Sequence, residues 1–156
     1  MDGTQGATER VVRTAAMPWI PTGPGKAFRP LRFGTDGWLE IMRLEPGARV
    51  TLHRHNGSVD ALTLAGSRRL LDGRTVGVGD YVHEPAGTID AWEATGDEPC
   101  LVVLAISGAV EYLDADGRVT GRVDSASQRA LYRDACRAQG RTPEAVGDDA
   151  MEVQEA

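Results

Sequence analysis

The sequence predicts an all-β domain, a double-sheet jelly-roll barrel with one C-terminal α-helix. Glycine and proline interrupt the chain roughly every eight to twelve residues, and β-branched runs lie between them. The segment with the clearest apolar period of a helix comes late, after the strand-like runs. Many short strands followed by a single helix favour two packed antiparallel sheets, whose open mouth can hold a ligand or a metal.

About nine short strands are predicted, each an apolar or alternating run bounded by turn residues. In chain order they cover residues 38–44, 49–54, 60–65, 68–71, 81–84, 88–93, 101–106, 110–113 and 119–123. The last two flank Asp116-Gly117, a pair that predicts a hairpin turn because glycine adopts positive backbone angles without strain.

The helix is predicted after the last strand. Ser125 and Gln128 have the spacing of a capping box, and Gly140 is typical of a helix end. An apolar stripe should place the helix on the outside of the barrel. The stripe consists of Leu131, Tyr132, Ala135 and Cys136.

Both ends of the chain are predicted to be flexible tails around one folded unit. Residues 1–16 are polar, and residues 141–156 are acidic with few large apolar groups, so neither segment can bury enough surface to offset the entropy of ordering. The folded unit, barrel plus helix, is expected to span residues 17–140.

Composition narrows the class of partner. The chain has 156 residues and a formal net charge of -6, its basic residues are dispersed, and no run of about 18 apolar residues occurs. These features argue against nucleic acid and membrane as partners and favour a small-molecule substrate in a cytoplasmic protein. Cys100 and Cys136 lack the spacing of a zinc or redox site, so we expect reduced, buried thiols.

Two histidines one residue apart are the most informative local feature. His53 and His55 lie at i and i+2 of a predicted strand, so their imidazoles face the same side and can bind one metal ion. Asp90, about 35 residues later, can complete a set of two histidines and one carboxylate, which suits non-haem Fe(II). The alternatives are a histidine pair that only packs, and a polar ligand site in which the aspartate abolishes tight metal binding.

These residues resemble the two motifs of the cupins, G-x5-H-x-H and G-x5-P-x-G-x2-H. Asp90 stands where the second motif ends in histidine, and the acidic residue expected after His55 is displaced to Asp60, with Val59 the other alignable position. The resemblance implies a single cupin double-stranded β-helix. The matching framework positions are Gly47, His53, His55, Gly66, Gly79, Pro85 and Gly87.

Segments between about residues 17 and 140 are similar to the 2,4'-dihydroxyacetophenone dioxygenase branch of the cupins. In that branch, histidine typically stands at the position of Asp60, glutamate at that of Asp72 and histidine at that of Asp90. The segments are Trp19-Ile20-Pro21, Pro30-Leu31-Arg32, residues 53–66 and 79–87, and Asp116-Gly117.

This resemblance implies a metal centre formed by His53, His55 and Asp90, with Asp72 as a further ligand. Fe(II) is the first choice of ion, Mn(II) or another divalent ion the second, and a site without metal the third. The implied reaction is oxygen-dependent cleavage or oxidation of a small hydroxy-ketone, aromatic or polyketide-like. Cupin barrels often pair through sheet edges and terminal arms, so a homodimer is expected.

A second hypothesis needs no metal. Asp60, Asp72 and Asp90, clustered in an apolar barrel, would raise one another's pKa and serve as acid and base beside a histidine, giving a cyclase or isomerase. A non-catalytic small-molecule-binding cupin is the third hypothesis. For single residues, Asp72 precedes Gly73 and can be a turn residue, and Asp60 can orient a ligating imidazole instead of binding metal.

Several other side chains are candidates for the barrel interior. His83 and Glu84 point to opposite faces of one predicted strand, so one of them can face inward. Trp38 and Trp92 are expected in the core or on the wall of a ligand pocket. Three arginines, Arg68, Arg69 and Arg74, can attract an anionic substrate or lie on a solvated strand face.

Overall fold

The computed structural model describes residues 7–147. After a short 3-10 helix, Thr14–Ala16, the strands are β1 (Ile20–Gly23), β2 (Lys26–Phe33), β3 (Gly37–Leu44), β4 (Arg49–His55), β5 (Val59–Ala65), β6 (Ser67–Leu70), β7 (Thr75–Val76), β8 (Tyr81–Glu84), β9 (Ile89–Thr95), β10 (Cys100–Ser107), β11 (Val110–Leu113) and β12 (Val119–Val123), and the helix is α1 (Ser125–Ala138). The predicted strands and the single late helix are confirmed.

The strands form two antiparallel six-stranded sheets. The first has the order β1-β2-β3-β10-β5-β8, and the second has the order β12-β11-β4-β9-β6-β7. Consecutive strands such as β4 and β5 lie in different sheets, so the chain crosses from one layer to the other, as a jelly roll requires. The predicted fold class is confirmed.

The core lies between the two sheets. Along β10 every second residue is buried, and Val102 and Leu104 are 0% and 6% exposed. Burying one such side chain contributes about 2 kcal/mol to stability. The same alternation in β9 buries Asp90 and Trp92, which places polar groups as well as apolar ones inside the barrel.

Three strands were not predicted from the sequence, namely β1, β2 and β7. β2 contains Pro30, and proline, which lacks an N–H, normally argues against a strand that is paired on both sides. Here the register between β2 and β3 shifts between Pro30 and Arg32, so the irregularity accommodates the missing donor.

The capping box of the helix lies one residue earlier in the chain than predicted. Asp124, not Ser125, is the N-cap: its carboxylate accepts from the Ser127 N–H at 2.9 Å, and Ser127 Oγ accepts from the Asp124 N–H at 2.9 Å. Gly140 has a φ of 62°, in keeping with the predicted helix end. Tyr132 packs against Phe33 of β2, with ring centroids 6.0 Å apart.

Part of the predicted C-terminal tail is folded against the barrel. The Val146 N–H donates to the Leu31 carbonyl at 2.8 Å, and its own carbonyl accepts from the Phe33 N–H at 2.9 Å. The Tyr132 hydroxyl accepts from the Glu144 N–H at 2.7 Å. The folded unit therefore extends to residue 147, beyond the predicted limit at residue 140. Of the predicted N-terminal tail, Thr14–Ala16 form the 3-10 helix, and the Ala16 carbonyl accepts from Arg141 Nη2 at 2.7 Å. Residues 1–6 and 148–156 of the predicted tails lie outside the described residues.

The cysteines and the hydropathy of the helix bear on two further expectations from the sequence. Cys100 and Cys136 are both buried and form no disulfide, as predicted. In the described part of the chain, no helix is long and apolar enough to cross a bilayer.

Candidate functional site

The two sheets enclose a cavity of about 330 Å³. This volume lies at the small end of the range of ligand pockets. Its apolar wall includes Phe28, Trp38, Val50, Trp92, Leu104 and Ile106, and its polar wall includes Glu40, His53, His55, Arg68, Glu84 and Tyr112. Gln128 and Leu131 of α1 also line it, so the helix covers part of the barrel interior. A mainly apolar cavity with a few buried polar groups is typical of a small-molecule site.

β4 carries both motif histidines into this cavity. His53 and His55 are 3% and 5% exposed, and their rings meet edge to face with centroids 4.8 Å apart. His53 Nδ1 donates to the Thr51 carbonyl at 2.7 Å, which leaves the lone pair on Nε2. Burial lowers the pKa of His53, and burial followed by the charge of His53 lowers the pKa of His55 to about 4. Both imidazoles are therefore neutral near pH 7.

Glu84 supplies the carboxyl group beside the histidines. The alternation of β8 turns His83 outward, with 50% of its side chain exposed, and Glu84 inward, with 13% exposed. Glu84 Oε2 lies 3.5 Å from His55 Nε2. Burial, followed by the charge and the hydrogen bond of Asp90, raises the pKa of Glu84 to about 7. Glu84 is consequently a buried carboxyl group that exchanges its proton near neutral pH.

Asp90 lies directly opposite His53 in the pairing of β4 with β9. It is 8% exposed, and its Oδ1 accepts from the Leu71 N–H at 3.1 Å and the Ala91 N–H at 2.9 Å. Its charge acts on the Glu84 carboxyl group and raises the pKa of Glu84. Glu84, not Asp90, contributes to the cavity wall. The second-motif aspartate thus lies opposite His53 and acts on Glu84 through its charge.

The structure does not bring Asp60 and Asp72 to this cavity. Asp60 projects outward from β5, because its neighbours Val59 and Ala61 occupy the inward positions of the strand. Its carboxylate accepts from the Tyr81 hydroxyl and, at 2.8 Å, is paired with His83 Nδ1, so it orients neither motif imidazole.

Asp72 lies in the turn between β6 and β7, with 51% of its side chain exposed. Its carboxylate accepts from the Arg74 backbone N–H at 3.0 Å and from Arg74 Nε at 2.7 Å. This is the turn-residue alternative of the sequence analysis. The hypothesised acid–base cluster of Asp60, Asp72 and Asp90 is therefore not assembled, since the three carboxylates occupy three different environments.

The side chains near the two histidines provide only part of a ligand set for a divalent cation. The neutral imidazoles of His53 and His55 are donors that Fe(II) and Mn(II) accept. Oδ1 of Asp90 is engaged by two backbone N–H groups, and Asp72 lies in a solvated turn. Across residues 7–147, no three His, Cys, Asp or Glu side chains are grouped closely enough to hold a metal ion. As they lie, the side chains provide a histidine pair and do not fit a complete metal centre.

Two more charged side chains face the cavity. Arg68, on β6, is 3% exposed, and its guanidinium carbon lies 4.7 Å from the centroid of the Trp92 ring. Glu40, on β3, is 1% exposed, and burial raises its pKa to about 7. The sequence analysis did not identify Glu40. The signal that could have identified it is a charge at an inward position of an alternating strand, where charged residues are rare.

Comparison with known proteins gives a family and a set of similar folds. Residues 7–124 match the family model described as the ChrR Cupin-like domain. No curated protein matches the sequence. A cupin-like protein of unknown function from Ralstonia eutropha JMP134 is 23% identical, with a TM-score of 0.83 over 92% of this chain and 94% of that chain.

Two further solved structures have related folds and different described roles. An acetylacetone dioxygenase from Acinetobacter johnsonii is 16% identical, with a TM-score of 0.73 over 84% of this chain and 95% of that chain. The anti-sigma protein ChrR of Rhodobacter sphaeroides, in complex with SigE, is 22% identical, with a TM-score of 0.55 over 61% of this chain and 51% of that chain. At these identities the likeness is one of fold.

Proposed function

The chain belongs to the ChrR cupin-like domain family, and from that premise we propose that its barrel binds a small carbonyl compound and transfers a proton on it through Glu84. The observation that carries the proposal is the Glu84–His55 pair on the cavity wall, with Oε2 and Nε2 3.5 Å apart. A general acid or base works best when its pKa lies near the working pH, and burial brings the pKa of Glu84 to about 7.

The proposed reaction is an isomerisation through an enolate. The ionised Glu84 carboxylate takes the proton from the carbon next to the carbonyl, that C–H bond breaks, and its electron pair forms the enolate. The same carboxyl group then returns the proton to a different atom, so the product is an isomer and neither an oxidant nor a reductant is consumed. This one-base chemistry is of the kind that buried carboxyl groups perform.

The neighbours of Glu84 position it for this step. His55 is neutral near pH 7 and lies beside the carboxylate, and the charge of Asp90 favours the protonated form of Glu84. Trp38 and Trp92 line the same cavity and offer apolar surface to an aromatic substrate. The mostly apolar wall lowers the local dielectric constant, which strengthens electrostatic interactions within the site.

The proposal is tested by deuterium exchange into 2-hydroxyacetophenone in D2O, followed by loss of the proton signal next to the carbonyl. The Glu84→Gln variant should slow the protein-dependent exchange by about 100-fold or more, since general acid–base groups contribute at least that much. Glu98→Gln, at an exposed glutamate, is the matched control and should exchange at the wild-type rate. Equal rates in the wild-type protein and Glu84→Gln would contradict the proposal.

Oxygen-dependent cleavage or oxidation of a hydroxy-ketone is the second candidate function. The His53–His55 pair favours it, because His53 Nε2 carries a free lone pair inside the barrel, and one similar fold is described as an acetylacetone dioxygenase. This function needs Fe(II) or Mn(II) and a third protein ligand, for which Glu84 is the nearest carboxyl group. Near-stoichiometric iron or manganese in protein purified without chelator, lost in His53→Ala, would support it. No metal after anaerobic loading with Fe(II) would favour the proton-transfer function.

A cytoplasmic homodimer remains a proposal. The outer face of the first sheet exposes apolar side chains where β5 and β8 pair, and a second copy could cover them. They are Leu62, Leu64 and Tyr81, which are 42%, 46% and 62% exposed. Light scattering during size-exclusion chromatography should give twice the chain mass of 16.7 kDa, and a monomer at all concentrations would contradict pairing.

A further inference from the structure

We propose that Arg68, stacked on Trp92, binds the carboxylate of the natural ligand, which makes that ligand a monoanionic acid with an apolar body. This inference rests on the proposed function in one respect, namely that the cavity between the sheets is the ligand site. It goes further by naming the chemical class of the ligand and the side chain that recognises it.

The first observation is a buried guanidinium group without a partner. Arg68 is 3% exposed, it lines the cavity, and its Nε is enclosed without a hydrogen-bond partner. Among residues 7–147, no carboxylate forms an ion pair with it. A buried charge is normally paired, because the loss of hydration is otherwise uncompensated. The empty donor positions of Arg68 therefore fit an anion that comes from outside the chain.

The two other arginines of this region, Arg69 and Arg74, each form an ion pair with a carboxylate. Arg69, next in the chain, points outward and forms an ion pair with Glu93. Arg74 is paired with Asp72 at 2.7 Å. Of these three arginines, the buried one is the one that lacks a carboxylate. The charges of Glu84 and Asp90 act on Arg68, but neither carboxylate forms an ion pair with it.

Trp92 holds the guanidinium group ready for an anion. The guanidinium carbon of Arg68 lies 4.7 Å from the ring centroid, which is within the range of a cation–π contact. Stacking on an aromatic ring fixes the plane of the guanidinium and leaves its N–H groups at the edge free for a bidentate carboxylate. Less conformational freedom is then lost when the ligand binds.

The rest of the cavity defines the body and the charge of the ligand. The wall of the cavity is mostly apolar and includes Trp38, Leu104 and Ile106, and the volume of about 330 Å³ limits the ligand to a small molecule. Glu40 and Glu84 also face the cavity, so a second negative charge on the ligand would meet repulsion. A monocarboxylate with an aromatic or branched apolar body fits these walls better than a phosphate dianion.

The test compares acids with neutral amides of the same shape. Benzoate and phenylacetate are titrated against benzamide and phenylacetamide at pH 7 by isothermal titration calorimetry, with inorganic phosphate as a further anion. Each acid should bind the wild-type protein at least about tenfold more tightly than its amide, and phosphate should bind more weakly than the acids. Arg68→Met should abolish the preference for the acid. Arg69→Met, the adjacent outward arginine, should leave it unchanged.

Arg68→Lys keeps the charge but not the planar fork, and it provides the test if Arg68→Met does not fold. Its preference for the acid should fall at least about threefold below that of the wild-type protein. The inference would be overturned if acid and amide bound equally well, or if phosphate bound more tightly than the acids. It would also be overturned if the preference for the acid survived in Arg68→Met or was unchanged in Arg68→Lys, or if no acid bound at roughly 10 mM.

Binding and proton transfer are measured separately, so the two proposals fail separately. Deuterium exchange that depends on Glu84 without a preference for acids would remove the role of Arg68 alone. A preference for acids that depends on Arg68, together with exchange at the same rate in Glu84→Gln, would remove the proton-transfer function alone.

Discussion

Replacing Glu84 with glutamine should change the way in which stability depends on pH. Burial, followed by the charge and hydrogen bond of Asp90, raises the pKa of Glu84 from 4.5 to about 7. The folded protein therefore holds this proton more tightly than the unfolded chain does. The stability that Glu84 contributes to the wild-type protein falls as pH rises from about 4.5, where the unfolded chain loses the proton, and this loss is complete above pH 7. Glutamine has the same shape and cannot ionise, so the variant lacks this loss.

The size of this change in the free energy of unfolding follows from the pKa of Glu84 in the folded and unfolded chains. A pKa difference of one corresponds to about 1.4 kcal/mol, so the change from 4.5 to about 7 corresponds to about 3 kcal/mol. The free energy of unfolding of Glu84→Gln, minus that of the wild-type protein, should rise by this amount between pH 4.5 and pH 8. The lowered pKa values of His53 and His55 give a slope of the opposite sign, but it is common to both proteins and cancels in the difference.

The assay is urea denaturation followed by tryptophan fluorescence at intervals of half a pH unit. Glu98→Gln, at an exposed glutamate, is the control, and its difference from the wild-type protein should stay flat across the same range. The reasoning would be refuted by a Glu84→Gln difference that stays constant within about 0.5 kcal/mol, since Glu84 would then titrate alike in the folded and unfolded chains.

Three other substitutions test separate parts of the structure. Glu40→Gln should gain about 3 kcal/mol relative to the wild-type protein between pH 4.5 and 8, because burial raises the pKa of Glu40 to about 7, and urea denaturation would measure it. Gly66→Ala should lose about 1–3 kcal/mol and lower the Tm, since φ is 69° and the new Cβ would lie 2.5 Å from the Pro99 carbonyl oxygen; an unchanged Tm would contradict this. Tyr132→Phe should lose about 1 kcal/mol and speed amide exchange at Glu144, whose N–H donates to the hydroxyl; unchanged exchange would show that residues 141–147 are held in another way.

Most of the fold could be predicted because its signals are local. Glycine at Gly66 and at the Asp116-Gly117 turn marks places where the backbone takes a positive φ, and the apolar runs between such turns are the strands. β2 could not be predicted in the same way, because Pro30 breaks its pattern and the pairing with β3 depends on a distant register shift. The docking of Val146 on β2 is also a long-range contact without a local signal.

The site could be predicted only in part, since the identity of its carboxyl group depends on register. Spacing alone places His53 and His55 on one face of a strand. It leaves open which of His83 and Glu84 faces inward, and the pairing of Glu84 with Val59 decides this. The resemblance to motif positions drew attention to Asp90, whereas the side chain that reaches the cavity is Glu84.

The alternation of side chains along a strand also decides which of the other predicted residues face the cavity. Asp60 alternates with the inward residues Val59 and Ala61, so the strand itself turns its carboxylate outward. Arg68 and Arg69 divide in the same way, one into the barrel and one to its surface. These assignments become available once the register of one strand is known.

The central claim, that Glu84 is the proton-transferring group of the cavity, is tested most directly by observing its carboxyl group. Protein labelled with ¹³C at the glutamate side-chain carboxyl carbons can be followed by NMR from pH 4 to pH 9, and the spectrum of Glu84→Gln assigns the resonance. The account predicts a titration midpoint at about 7. A midpoint near the ordinary value of 4.5 would contradict it, because Glu84 would then be fully ionised at neutral pH and poorly matched to acid–base catalysis.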